Sequence, residues 1–294
     1  MNRTGKMGAV WLAFVGASTV APITAGAERR VLIVAGQSNV LNWHADAAAL
    51  PAHTADQEIA FYFHTGAPPS KAAGMTPPFN ATSGGTWMTL RAQRQHPYVR
   101  YAREFFGPEM SLGRTLHDGG GATRWAIIKV GYFGTNLAED WQPDATAGNR
   151  LYRLLLAQLR DALKAMEAAG DTPRVSGFFW MQGETDGANE THAVAYERNL
   201  RLFIARVRDD FGGGHNPGGA LLPFVLARVG PRPKQGYTYQ DVVRAAQVRV
   251  AESESRVAWV NTDDLRRDTD GVHLLAPGVL TLGERWANAW SRLR

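Results

Sequence analysis

The 294-residue chain contains no cysteine. That absence excludes a disulfide scaffold, a thiolate nucleophile, a cysteine-ligated zinc site and a cysteine-linked lipid anchor. No H-E-x-x-H run and no grouping of histidines occurs either, so no metal is expected to activate water. The G-x-S-x-G elbow of many serine hydrolases is missing, because Val40 stands at its second glycine. The glycine triplets Gly119-Gly120-Gly121 and Gly212-Gly213-Gly214 neither follow a strand-like run nor match a phosphate fingerprint, which argues against nucleotide binding. Charged residues are only 20% of the chain against 45% hydrophobic ones, the balance of a folded protein with a large core.

The formal net charge is +5. Two of those charges, Arg3 and Lys6, precede an apolar stretch from about Met7 to Val20, and Ala25-Gly26-Ala27 follows with small residues at −3 and −1. Residues 1–27 therefore read as a secretion signal, too short in its apolar run to span a bilayer comfortably. They hold no acidic residue, so their removal takes +5 to +3. No basic stripe interleaved with aromatics remains to suggest a nucleic-acid partner. No later segment is apolar enough to enter a membrane, and the expected product is exported, secreted or periplasmic.

From residue 28 onward, strand-like and helix-like segments alternate. Apolar runs at 30–35, 59–63, 125–130, 175–181, 223–229 and 257–260 predict strands buried on both faces. Helical periodicity predicts helices over 105–116, 151–169, 193–211, 239–252 and 276–293. Residues 64–100 are rich in Gly, Pro, Ser and Thr without a sustained period, and 212–219 reads as a loop. The pattern predicts a single three-layer α/β/α domain over 28–294 with a mostly parallel central sheet. In such sheets ligands gather at the carboxyl ends of the strands.

Each strand end carries something reactive. The first is followed by Gly36-Gln37-Ser38-Asn39, which places a serine on a tight turn, flanked by two amides. The strand ending at Val130 leads into Gly131-Tyr132-Phe133-Gly134-Thr135-Asn136, where Gly134 can present a backbone N–H to a developing oxyanion. After Met181 come Gln182-Gly183-Glu184-Thr185-Asp186, a side-chain amide donor and a nearby carboxylate. Before the last helix lies Asp270-Gly271-Val272-His273. At that spacing Asp270 can hold the ring Nδ1, leaving Nε2 free to take a serine proton. Together these supply a nucleophile, oxyanion donors, and a base with its orienter.

These blocks resemble the SGNH hydrolase superfamily, and within it the sialate O-acetylesterase-like (SASA domain) proteins and the family 6 carbohydrate esterases. Phe106-Gly107-Pro108-Glu109 and Leu282-Gly283-Glu284-Arg285 also look like family sequence, so the likeness extends over residues 29–294. The resemblance implies a flavodoxin-like hydrolase with Ser38 as nucleophile, His273 as general base and Asp270 as orienter. It further implies an oxyanion hole from Ser38 N–H, Gly134 N–H and the Gln182 amide, with Gln37, Asn39 and Glu184 in support. The implied reaction removes acetyl groups from a sugar or polysaccharide (sialate or acetylxylan type) and needs no cofactor. Phe133 departs from the family's common Gly-Gly pair and narrows the pocket beside Gly134. A general esterase or lipase on the same fold, and a catalytically silent carbohydrate-binding module, are the competing readings. Glu184 is the rival to Asp270 as orienter, expected instead to brace the loops by accepting hydrogen bonds. His44, His53, His64, His96, His117, His192 and His215 are scattered and read as surface or core residues. Trp43, Trp87, Trp141 and Tyr98 are candidates either to stack on a sugar or to pack in the core.

Overall fold

The computed structural model describes residues 27–68, 80–94, 104–144, 150–212, 221–231, 233 and 236–293. The expected signal segment through residue 26, His96, Tyr98, His215 and nearly all of the 212–219 loop lie outside the described residues. Ten strands are described: β1 (Glu28–Gly36), β2 (Ala60–Gly66), β3 (Asn80–Thr82), β4 (Met88–Thr89), β5 (Gln93–Arg94), β6 (Glu104–Phe105), β7 (Arg124–Tyr132), β8 (Thr172–Met181), β9 (Phe224–Ala227) and β10 (Val257–Val260). The helices are α1 (Ser38–Leu41), α2 (Glu109–Asp118), α3 (Arg150–Ala168), α4 (Glu184–Gly187), α5 (Glu190–Gly212), α6 (Gln240–Ser253) and α7 (Ala276–Ser291).

The main sheet runs β10-β9-β8-β1-β7-β2-β3, with β4 also paired to β2. Six of its strands, β10 through β2, are parallel; β3 and β4 are antiparallel additions to β2. The sequence pattern is thus met in the parallel core, while the Gly- and Pro-rich excursion holds short strands that exist only by pairing with β2 or, for β5 and β6, with each other. A second boundary differs as well. The helix expected from residue 105 starts at Glu109, because Phe105 completes β6 and Pro108, lacking an N–H, stands at the helix N-cap.

Along β1 the pleat sends Val31, Ile33 and Ala35 to one face and Leu32 and Val34 to the other. The first face is covered by α3, α5 and α6 through residues such as Leu155, Phe203 and Val243; the second by α2 and α7 through Met110, Leu282 and Trp286. Burial on both faces explains the uninterrupted apolar runs. Register aligns Gly36 of β1 with Gly131 of β7 and Met181 of β8, so the three central strands end level. Later strands fall on either side of β1, which makes these level ends the point where the winding reverses. Gly36 sits at φ 149°, and a Cβ there would lie 2.0 Å from the Met181 carbonyl oxygen. Only glycine lets the chain turn from β1 so close to β8.

One residue breaks the apolar face beneath α1. Lys129 of β7 is fully buried, and its Nζ donates to Glu109 Oε1 at 2.9 Å, Gln93 Oε1 at 2.8 Å and the Leu41 carbonyl at 3.4 Å. Burial pulls the ammonium below its ordinary pKa, and Glu109 pulls the other way. The ion pair thereby fastens the end of α1 to α2 and the sheet. Lys129→Met leaves Glu109 buried without its counter-charge, at a cost of about 3–5 kcal/mol. The thermal midpoint should drop by on the order of 10 °C, and adding Glu109→Gln should recover part of that loss. An unchanged midpoint in the single variant contradicts this role.

Candidate active site

The segment leaving β1 is short and heavily tethered. Gln37 N–H donates to the Met181 carbonyl at 3.0 Å, and Ser38 opens the single turn α1 with 8% of its surface exposed. Asn42 closes that turn in the left-handed conformation that asparagine tolerates, its N–H on the Ser38 carbonyl at 2.7 Å. Asn39 is fully buried. Its Nδ2 donates to Glu184 Oε1 at 2.9 Å and to the Val272 carbonyl at 3.1 Å, and its Oδ1 accepts from Leu274 N–H at 2.9 Å. Asn42 Nδ2 adds a bond to the Leu274 carbonyl at 2.9 Å. The loop carrying His273 is thus bolted to the segment carrying Ser38.

Within that loop, Asp270 acts three times. Its Oδ1 accepts from the N–H groups of Val272 (2.8 Å) and His273 (2.9 Å), and its Oδ2 lies 2.6 Å from His273 Nδ1. Burial tends to raise the Asp270 carboxyl, but the His273 side chain and these two N–H groups hold it below its ordinary value. Glu184, the other candidate orienter, contacts Asn39 instead of the His273 ring. Burial raises the Glu184 carboxyl, with its own backbone N–H, Asn39, His273 and Arg267 pulling the opposite way. Its Oε2 is buried without a hydrogen-bond partner.

The third element is the turn after β7. Gly134 sits there at φ 61°, half-buried, with Thr135 Oγ1 on the Tyr132 carbonyl and Phe133 N–H on the Gly66 carbonyl. Phe133 packs edge-on against Trp43, with ring centroids 4.8 Å apart. Asp186 anchors the continuation of the turn by accepting from Leu137 and Ala138 N–H.

A sequence model for carbohydrate esterases described as sialic acid-specific acetylesterases matches residues 28–292. The chain belongs to that family. It is accordingly a carboxylic ester hydrolase, of a family that implies an acetylated carbohydrate substrate. Among solved structures, a protein from Arabidopsis thaliana superposes with a TM-score of 0.60 at 17% identity, covering 90% of this chain and 98% of that one. NanS gives 0.61 at 14%, covering 92% and 98%. A carbohydrate acetylesterase from Xanthomonas citri gives 0.56 at 19%; the match covers 90% of this chain but 56% of that one. At such identities the likeness speaks to the fold alone. No curated protein matches the chain. Among the described residues of the esterase, no helix is long and apolar enough to cross a membrane.

Two of the candidate residues lie in the interior. Gln182 is fully buried, and its Nε2 donates to Gln37 Oε1 (3.2 Å), the Thr135 carbonyl (3.0 Å) and Asp186 Oδ2. Three protein acceptors already compete for its two hydrogens, so in this arrangement it braces the loops instead of offering an oxyanion donor. Gln37 Oε1 also accepts from Gly183 N–H, which locks the β1 and β8 ends together. Trp141, a candidate sugar platform, is fully buried against Trp180, with its Nε1 on Thr135 Oγ1. Trp87 donates to the Ala162 carbonyl and packs on the core, whereas half-buried Trp43 remains at the site beside Phe133.

His44 is what sequence reasoning missed. Its ring stacks on His273 with centroids 4.3 Å apart and planes 4° from parallel, and its Nδ1 lies 2.7 Å from Asp268 Oδ2. The usable signal was its place six residues after Ser38, but its partner is 224 residues away in sequence. His44, Asp270 and His273 each offer one ligand atom within 4.8 Å of the others, the arrangement among the described residues that could hold a metal ion.

Burial pushes Asp186 up to about 7, against the pull of Gln182 and the Leu137 and Ala138 N–H groups. A carboxyl raised in the folded state stabilises fully below its unfolded pKa of about 4, and that contribution is lost as pH climbs through about 7. Asp186→Asn removes the titration. The melting-temperature advantage of the wild type over this variant should therefore shrink between pH 5 and pH 8 in parallel melts. A constant difference would show that Asp186 stays ionised throughout.

Proposed function

We propose that the esterase is exported and removes O-acetyl groups from a sugar or polysaccharide through an acetyl-enzyme formed on Ser38. The observation that carries this reading is the 2.6 Å contact of Asp270 with His273 Nδ1, in a loop that Asn39 ties to the Ser38 segment. A carboxylate on Nδ1 fixes the tautomer whose Nε2 can accept a proton. Family membership supports the acetylated carbohydrate substrate. The basic, apolar and small-residue succession of residues 1–27 supports export.

In the proposed cycle, Ser38 Oγ attacks the acetyl carbonyl carbon while His273 Nε2 takes the serine proton. The carbonyl π electrons move to oxygen, and the Ser38 and Gly134 N–H groups receive the oxyanion. Collapse expels the sugar oxygen, which leaves with the proton from His273. Water then repeats the sequence on the acetyl-serine, releasing acetic acid and restoring Ser38. Asp270 stabilises the imidazolium in both halves without being protonated. Gln182, Gln37, Asn39 and Glu184 hold these groups in place, and the Trp43–Phe133 pair supports a short acyl pocket beside Gly134.

Ser38→Ala should lower kcat by roughly 10³-fold or more while the melting curve is preserved. In the wild type, p-nitrophenyl acetate should turn over faster than the butyrate and octanoate esters, since each misfitting methylene costs about 1–3 kcal/mol of discrimination. Faster turnover of the longer esters would favour a lipase-like enzyme. No turnover of any ester would favour a silent binding module, and a folded, active Ser38→Ala would remove the serine from the mechanism.

A further inference from the structure

We infer that His44 is a positioning residue for the general base: its ring is the plate that sets the plane of the His273 imidazole. The inference rests on the proposed role of His273. The Asp270 contact fixes one edge of the His273 ring, but one hydrogen bond still leaves the ring a coupled movement about its two side-chain torsions. The loop offers little further restraint, with the side chains of His273 and Asp270 24% and 41% exposed. The parallel face of His44, 4.3 Å away, removes that freedom.

His44 can serve as a plate because it is itself held. Its side chain is 9% exposed, and Asp268 fixes its orientation through Nδ1. The Asp268 carboxylate is itself held through Oδ1, which accepts from the Thr269 N–H at 2.7 Å. Asp268 N–H in turn donates to the His273 carbonyl at 2.8 Å. The loop thus carries two carboxylates two residues apart, each fixing one of a stacked pair of imidazoles. His44 also follows α1 by three residues, so the segment that presents Ser38 presents the plate as well. Both partners of the proton transfer are then referenced to one short piece of chain.

The test is steady-state hydrolysis of p-nitrophenyl acetate by the full chain, with thermal melts, for wild type, His44→Ala, His44→Phe, Asp268→Asn and His273→Ala. His44→Ala should lower kcat roughly 10- to 100-fold, the size expected for a misplaced catalytic group, with KM within about twofold and the fold intact. His44→Phe restores a flat face and should recover kcat to within about fivefold of wild type. Asp268→Asn should fall between the two. Wild-type kcat in His44→Ala beside an inactive His273→Ala overturns this inference alone; an active, folded His273→Ala overturns the reading beneath it. Equal losses in the Ala and Phe variants, or a raised KM at unchanged kcat, also overturn the inference, because the flat face would then not be what matters. If His44→Ala fails to fold, unchanged kcat in folded Asp268→Asn overturns it.

Discussion

The candidate site of this esterase hangs on one buried amide. The Asn39 side chain spends its two N–H groups on Glu184 and Val272 and its oxygen on Leu274, residues 145 to 235 positions away. These bonds join the carboxyl end of β1 to the start of α4 and to the loop before α7, a loop that β1 does not pair with in the sheet. An unpaired polar group at such depth costs about 1–3 kcal/mol, so each partner is held by the penalty of losing the others. Asn39 therefore does more than cap a turn, as a residue after a serine might. It sets the distance between the segment that bears Ser38 and the loop that bears His273.

Around this bolt the carboxyl ends of β1, β7 and β8 support a continuous polar network. Gln37, Gln182 and Asp186 link the strand ends to one another and to the Gly134 turn, and Tyr196 and Gln247 close the network from α5 and α6 through the Gln182 carbonyl. Buried polar groups are tolerated where they satisfy one another, and a satisfied network is stiff. Stiffness is what proton transfer and oxyanion stabilisation require, since both depend on donors already aimed before the charge develops. The level register of Gly36, Gly131 and Met181 lets one network serve three strand ends. Lys129 and Glu109 brace α1 from beneath, so the Ser38 segment is held at both of its faces.

The parallel core was legible because strands buried on both faces must be apolar without interruption, as Val31 to Ala35 are, and because α3 carries its periodicity up to Gly170. β3 and β4 were not, since Asn80–Thr82 and Met88–Thr89 become strands only when β2 offers them an edge. At the site, Asp270 and His273 meet across three residues, a distance over which spacing is informative. His44 and Asp268 meet across 224, and nothing local in either marks the other. Gln182 shows a different limit. Its donor chemistry is visible in the sequence, but which acceptors it faces is decided by Gln37, Thr135 and Asp186 converging from separate elements.

The most direct test of this account is the activity and stability of Asn39→Ala. Removing the amide leaves Glu184, Val272 and Leu274 without its hydrogen bonds and frees the His273 loop from the Ser38 segment. A folded protein is expected, melting somewhat lower, whose kcat on p-nitrophenyl acetate falls by about 100-fold, the loss expected when the proposed base and nucleophile lose their mutual geometry. A folded Asn39→Ala with wild-type kcat would contradict it.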